Sequence, residues 1–193
     1  MITIHKSETA DTRTCDFANT TKETLLASSR THISDVVKAM SFFSGKIFEA
    51  AGEHDYDKLT AIDRFHEDFV TGFKQTGWWD NHRKIHRHHL SQEDGVPLEV
   101  NLLDVLEYIA DCVMAGMSRS GSVYDLAMPP ELLERAFKNT VELLKKEVVV
   151  AADNTVMTSD DVPLCPACAK ECGSESNDKL SHAGPAASTA KAD

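Results

Sequence analysis

Residues 54–58 read His-Asp-Tyr-Asp-Lys, and "HRKIHRHH" from His82 to His89 holds four of the chain's nine histidines; six of the nine lie between His54 and His89. Imidazole nitrogen and carboxylate oxygen are the donors that borderline divalent ions take, and a catalytic site needs several of them plus an open position for water. His32, His54, Asp55 and Asp111 fall on three successive helical patterns or at their ends, and a helical bundle can bring such groups together in its interior. An ion held there would lower the pKa of its water and neutralise charge on a phosphoryl oxygen, a combination suited to phosphate-ester hydrolysis. The plainer reading of a His/Arg-rich stretch is a solvated basic surface. Here the stretch follows Trp78-Trp79 and precedes an amphipathic helix, which embeds it in the folded part of the chain. Asp104, Glu107 and Asp111 recur as a solvated helical stripe would, and Glu107, one turn before Asp111, is placed to orient a ligand as a hydrogen-bond acceptor.

The elements that must position these groups read as helices. Ser28, Ser29 or Thr31 can cap a helix on which Ile33, Val36, Val37, Met40, Phe43 and Ile47 recur at helical spacing, with Gly52 as its stop. A second pattern, 57–75, carries Leu59, Ile62, Phe65, Phe69, Val70 and Phe73 and ends at Gly77. Pro97 opens a third, with Leu102, Val105, Leu106, Ile109, Val113 and Met117 on its apolar side. Pro129 or Pro130 suits the first position of a fourth, striped by Leu133, Phe137, Val141 and Leu144. Each stripe is expected to face the core. Only the short "EVVVAA" after Glu147 departs from helical periodicity. The fold class is therefore all-α, with residues 1–28 an irregular lead-in, 29–150 the helical domain and 151–193 a flexible tail. Continuous helix through "HRKIHRHH" would put His82, His86 and His89 on one face and turn His88 away, which leaves open the histidines that converge.

In their order, these residues resemble the HD-domain metal-dependent phosphohydrolases. The likeness rests on His32 in "TH", then His54-Asp55 and Lys58 in "HDYDKL", then "WWDNHRKIHRHH" and the Asp111 of "LLDVLEYIADCVMAG". It is closer still to a branch of that superfamily often encoded by phages, and it covers roughly residues 30–147. The resemblance implies an HD-type helical bundle in which His32, His54, Asp55 and Asp111 hold the first of one or two divalent ions (Mn, Fe, Co, Ni, Zn or Mg). His82 and one or both of His88 and His89 would serve a second ion or the substrate phosphate. Asp55, Lys58 and His82 would carry the catalysis, and Lys58, Arg83 and Arg87 would contact the phosphate, since a guanidinium fork matches its oxygens. The implied substrate is a small phosphorylated molecule, a nucleotide first among the candidates, and relatives of this kind are often homodimers. Two positions depart from the pattern. His86-Arg87 stands where the branch carries Asn-Pro, and the short interval from His32 to His54 calls for a helix break at Ser44-Gly45. The rival reading keeps the fold as a catalytically inactive, metal-stabilised nucleotide-binding, regulatory or adaptor protein.

At 193 residues and 26% charged, the chain has the make-up of one soluble domain with tails. No window approaches 18 uninterrupted apolar residues and no secretory signal opens the sequence, so a cytoplasmic location, in the host if phage-encoded, with no membrane partner is expected. A formal net charge of −11 argues against a duplex nucleic-acid surface, which needs clustered Lys and Arg. Near the tail, Cys165, Cys168 and Cys172 in "CPACAKEC", with His182, supply the donors of a small structural zinc knuckle; a mobile, reduced thiol-bearing tail is the alternative. Cys112 reads as a buried small hydrophobe, and Trp78 and Trp79 as core and rim packing or as one wall of a base pocket.

Overall fold

Helix formation begins at Thr21, not at Ser28–Thr31. The Thr21 hydroxyl accepts a hydrogen bond from the Thr24 amide at 3.1 Å and Glu23 occupies the first turn, so the cap and the helix dipole are both served seven residues before the expected start. The computed structural model describes residues 1–5, 17–91 and 93–151. In chain order they form β1 (Ile2–His5), α1 (Lys22–Glu53), α2 (Tyr56–Thr60), α3 (Ile62–Val70), α4 (Trp78–Ile85), a 3-10 turn (Glu93–Gly95), α5 (Leu102–Ser120), α6 (Pro130–Glu147) and β2 (Val148–Ala151). The protein is mostly helical, and the described residues fall within one compact unit. None of the described helices is long and apolar enough to cross a membrane.

The lead-in is not wholly irregular. Its first residues form β1, which pairs in parallel with β2 from Ile2 opposite Val148 to His5 opposite Ala151. The Met1 amine lies 3.1 Å from the Glu147 carboxylate, and Lys38 of α1 donates to the Thr3 carbonyl at 3.1 Å. "EVVVAA" was the one segment with strand periodicity; its partner, four residues near the N-terminus, has no local signal because the pairing spans the whole domain.

The main apolar cluster gathers Leu90, Val100, Val105, Leu132 and Ala136, with Val96, Leu102, Tyr108 and Met128 packed against it. It lies where the segment after α4 meets the start of α5 and α6. That start is strongly specified. Asn101 caps α5 by accepting from the Leu103 amide at 2.8 Å, and Asp104 reaches back to the Asn101 amide at 2.8 Å, completing a capping box. Arg87 lays its guanidinium on the same Asp104 carboxylate at 2.8 and 2.9 Å. From α6, Thr140 accepts from the Leu102 amide at 2.8 Å and the Asn139 amide donates to the Val100 carbonyl at 2.8 Å. Pro130, the second of the two candidate prolines, takes the first helical position of α6.

Between α3 and α4, the buried Asp68 carboxylate accepts from the backbone amides of Thr76, Trp79 and Gln75 at 2.8, 3.1 and 3.3 Å. These bonds, the Thr76 amide foremost, hold the Asp68 carboxyl below the ordinary carboxylate range. They also anchor Trp78, which is buried against Phe65 with ring centroids 4.4 Å apart.

Several stripes face away from this core. Along α1 the buried residues are Ser28 and Ser34, whereas Leu26, Ile33, Val36, Met40 and Ile47 are exposed. The pattern expected over 57–75 breaks at Ala61 (φ −120°, ψ 38°) and stops at Val70, where Gly72 and Phe73 turn the chain at φ 70° and 63°. Leu59, Ile62, Phe69 and Val70 are exposed. On α6 it is Leu132 and Ala136 that pack, one position off the expected Leu133, Phe137 and Val141. Amphipathic periodicity shows that a helix has an apolar side; only the neighbours available decide which side the chain itself covers.

Replacing Asp104 with Ala removes both the capping-box acceptor and the buried partner of Arg87. We expect a loss of about 2–3 kcal/mol, read as a lower urea midpoint at an unchanged m-value; a midpoint equal to the parent's would contradict this account of the α5 start.

Candidate metal centre

A single left-handed residue builds the site's first half. α1 ends at Glu53; His54 follows with φ −56°, ψ 119°, and Asp55 adopts φ 51°, ψ 23°. Aspartate tolerates this region better than most residues, because its short polar side chain can bond locally. The Lys58 amide closes the turn on the Asp55 carbonyl at 3.0 Å, and the Lys58 ammonium pairs with Asp55 Oδ2. The sharp turn places His54 and Asp55 at the end of α1 and next to α2.

The second half depends on where α4 stops. Helical geometry ends at Ile85, and His86 takes an extended conformation (φ −94°, ψ 113°). That break decides which histidines converge. His82 enters from the helix, while His86 enters from the extended residue that ends it and His88 from the turn that follows; all three rings are buried. His88, which a continuous helix would have turned away, is among the most buried side chains described.

Around Asp55 the ligand atoms close in. His82 Nε2 lies 3.3 Å and His88 Nε2 3.5 Å from Asp55 Oδ1, and His54 Nε2 lies 3.6 Å from Asp55 Oδ2. Asp55 Oδ1, His82 Nε2 and His88 Nε2 are buried, yet none has a well-directed hydrogen-bond partner. Desolvating three polar atoms beside one another without bonding them is costly unless something else satisfies them. Two overlapping triads have ligand atoms within 4.8 Å of one another: His54, Asp55 and His88, and Asp55, His82 and His86. Asp55 is common to both.

A second layer sets the ring tautomers. His82 Nδ1 donates to both oxygens of buried Asp57 at 2.9 and 3.0 Å, which leaves Nε2 as a lone-pair donor. His54 Nδ1 donates to Glu107 Oε1 at 2.9 Å, and His88 Nδ1 approaches the same oxygen at 2.9 Å. His86 instead spends Nε2 on Asp57 Oδ1 at 2.8 Å. Trp78 and Trp79 stack on the His82 ring, at 4.7 and 5.2 Å between centroids, and fix its plane.

Electrostatics follow this geometry. Burial alone would push the Asp55 carboxyl up; the close approach of His82 and the Lys58 ammonium outweigh it and keep the group below the usual carboxylate range. Burial would likewise raise Glu107, and its two histidine contacts bring it down instead. His89 is pushed down to about 3, first by burial and then by its neighbours His88 and His82. Burial also lowers His86, against the pull of Asp57.

Not every expected residue belongs here. His32 is exposed on α1, and because that helix runs unbroken through Ser44-Gly45, its 22-residue separation from His54 is about 33 Å along the axis. It cannot share an ion with His54. Asp111 stands at the rim, with Oδ1 3.8 Å from His54 Nε2, and belongs to neither triad. His89 is adjacent, its ring 4.8 Å from that of His82, and it too lies outside both triads. Arg83 is engaged by Asp80 and Asp94 at 2.9 and 3.0 Å, and Arg87 by Asp104 and Glu99. Neither guanidinium is presented to the cluster. Cys165, Cys168, Cys172 and His182 lie outside the described residues. Conversely, His86 and Asp57 carry parts of the site that the motif did not assign them; the second carboxylate of "HDYD" was the available hint. Cys112 is buried as expected, with the Tyr124 hydroxyl donating to its sulfur at 3.3 Å.

Beside the cluster lies a cavity of about 620 Å³ between the C-terminal half of α1 and α5. His54, Glu107 and Asp111 form its polar edge, and the remainder, including Ile47, Leu103, Leu106 and Met114, is mainly apolar.

No family model, curated protein or solved structure matches the chain.

Because His86 and His89 are held neutral in the fold, the unfolded chain takes up protons that the folded one refuses as pH falls through about 6.5. Stability of the chelator-treated protein should therefore decline from pH 7.5 to 5, a window above the carboxylates' titration. Thermal melts in EDTA would test this, with His89→Gln giving a shallower decline; a flat profile would refute the burial of neutral imidazoles.

Proposed function

We propose that this chain is a metal-dependent phosphohydrolase of the HD type, acting on a nucleotide or related phosphate ester. The observation that carries the reading is the meeting of Asp55 Oδ1, His82 Nε2 and His88 Nε2, all buried and unpartnered within 3.3–3.5 Å of the shared oxygen. Oxygen and imidazole nitrogen in this mixture suit Mn, Fe, Co, Ni, Zn or Mg, with one or two ions accommodated by the two triads. His54, Asp55, His82 and His88 would hold the metal, with His86 in the second triad and Asp111 at the rim. A divalent ion bound there supplies Lewis acidity and water of lowered pKa.

The chain's own groups divide the remaining work. Asp57 and Glu107 orient the imidazoles and fix their tautomers, as carboxylates behind metal-bound histidines do. Asp55 stays ionised across the physiological range. Lys58, tethered to Asp55, holds a cationic group next to the position a phosphoryl oxygen would take, which makes it the phosphate contact in place of Arg83 and Arg87. The cavity between α1 and α5 opens at His54 and Asp111 and offers an apolar wall to the body of the substrate. The order of His54-Asp55 and Asp111 along the chain, in a mostly helical fold, supports the HD-type assignment.

The test is phosphate release from a panel of nucleoside mono-, di- and triphosphates and cyclic dinucleotides, with Mn, Co, Ni and Mg supplied in turn. Metal-dependent turnover should fall at least about a hundredfold in Asp55→Ala and about 10–100-fold in Glu107→Gln, while His32→Ala and Arg83→Ala remain near wild type. Equal, metal-independent background in wild type and Asp55→Ala would reject hydrolysis of these substrates and leave a metal-stabilised binding protein.

A further inference from the structure

The cavity between α1 and α5 is open because small side chains line it: Ala50 and Ala51 from α1, Ala110 and Ala115 from α5. Its volume of about 620 Å³ falls within the roughly 300–1,000 Å³ of small-molecule sites. Three larger apolar side chains on its wall stay exposed, Ile47 at 45%, Leu106 at 51% and Met114 at 69%. The unbranched thioether of Met114 adapts to an irregular apolar guest.

Polar groups on the wall are few and already engaged. Of the twelve lining residues, His54, Glu107, Asp111 and Ser118 carry polar side chains. His54 gives Nδ1 to Glu107 Oε1, which His88 Nδ1 also approaches, and the Ser118 hydroxyl donates to the Ala115 carbonyl at 3.2 Å. Asp111 stands at the cluster end, its Oδ1 3.8 Å from His54 Nε2. A ribose hydroxyl or the edge of a nucleobase in the rest of the cavity would exchange water for side chains that neither donate nor accept. A hydrocarbon group carries no such penalty.

We propose that the cavity takes the hydrocarbon group of a phosphate monoester whose phosphoryl end lies at the cluster of His54, Asp55 and His88. This rests on the hydrolase reading above and selects within it, favouring the ester of a lipophilic alcohol over a nucleotide. The connection is His54, which belongs both to the cavity wall and to a candidate metal triad. Hydrolysis of such an ester adds water across the bond between phosphorus and the alkyl oxygen. The products are inorganic phosphate and the alcohol, whose oxygen takes up the proton. Charge ties ligand binding to the metal: the Glu107 and Asp111 carboxylates at the polar edge repel a phosphate dianion, and a divalent ion on the neighbouring donors reverses that repulsion.

Titration calorimetry with n-alkylphosphonates from methyl to octyl, which keep the anionic head and resist hydrolysis, tests the cavity apart from the chemistry. With Mn or Co present, affinity should rise about three- to fourfold per methylene until the cavity is filled, and EDTA should abolish binding. Ala110→Leu directs a larger side chain into the cavity from a helix position that leucine suits nearly as well as alanine. It should flatten the gain along the series, with helix content by circular dichroism as the check on folding; Ala51→Leu, read the same way, decides if that variant does not fold. Equal affinity for methyl- and octylphosphonate, no binding at any chain length, or an undiminished gain in the folded variant would overturn the proposal. So would octylammonium binding the metal-free protein more tightly than octylphosphonate binds the loaded one. Phosphate release from octyl phosphate and from adenosine monophosphate is measured alongside. Chain-dependent binding without release keeps the apolar ligand site and rejects the hydrolase. Release from the nucleotide with no gain along the alkyl series keeps the hydrolase and overturns this site.

Discussion

The site depends on two carboxylates that sit behind the candidate ligands, Asp57 buried and Glu107 half-buried. Asp57 faces His82 and His86, and Glu107 faces His54 and His88. Each couples segments distant in sequence: Asp57 joins α2 to the end of α4, and Glu107 joins α5 to the end of α1 and to the segment after α4. Without them four imidazoles would crowd together with free choice of tautomer and orientation. With them, lone pairs of His54 and His82 are turned toward Asp55. The same arrangement supplies ring N–H donors to the carboxylates, and Asp55 Oδ1, His82 Nε2 and His88 Nε2 are left as atoms that could hold an ion.

The surrounding structure is organised around keeping those carboxylates in place. Glu107 is positioned by α5, whose start is held by the capping box of Asn101 and Asp104 and by Thr140 of α6. Arg87, one residue before His88, is drawn to the same Asp104, so the cap of α5 and the entry of His88 are set by one carboxylate. This is a different use of Arg87 from phosphate binding. Asp68 performs a comparable task for α4, gathering the amides that precede Trp79 so that the two tryptophans can pack around His82. At the other end, the left-handed turn at Asp55 brings a rigid 32-residue helix to a halt beside these groups. Strain of this kind recurs at functional sites because the surrounding contacts hold it.

The main apolar cluster is compact relative to the length of helix it supports, and much of α1 and α6 directs its apolar side outward. Along the 32 residues of α1 the buried positions are Ser28 and Ser34, while Ile33 and Ile47 stay exposed.

The helical class was legible in residue order alone, and the residues that the fold gathers around Asp55, namely His54, Lys58, His82 and His88, were among the candidates the sequence offered; Glu107 was open to both an orienting role and a plain solvated stripe. These are local features, because helical period, caps such as Pro130 and the neighbourhood of chemically distinct residues are written within a few turns of chain. Tertiary structure decided the rest. It removed His32, since α1 does not break at Ser44-Gly45; it brought in His86 and Asp57, since α4 ends at Ile85; and it turned Arg83 toward Asp94, as well as its helix neighbour Asp80, and Arg87 toward Glu99 and Asp104. It also paired β1 with β2 across the length of the domain and chose which face of α1 and α6 would be covered. Each of these outcomes rests on contacts between residues far apart along the chain, where the free energy of burying one particular face or pairing one particular charge depends on neighbours that only the fold supplies.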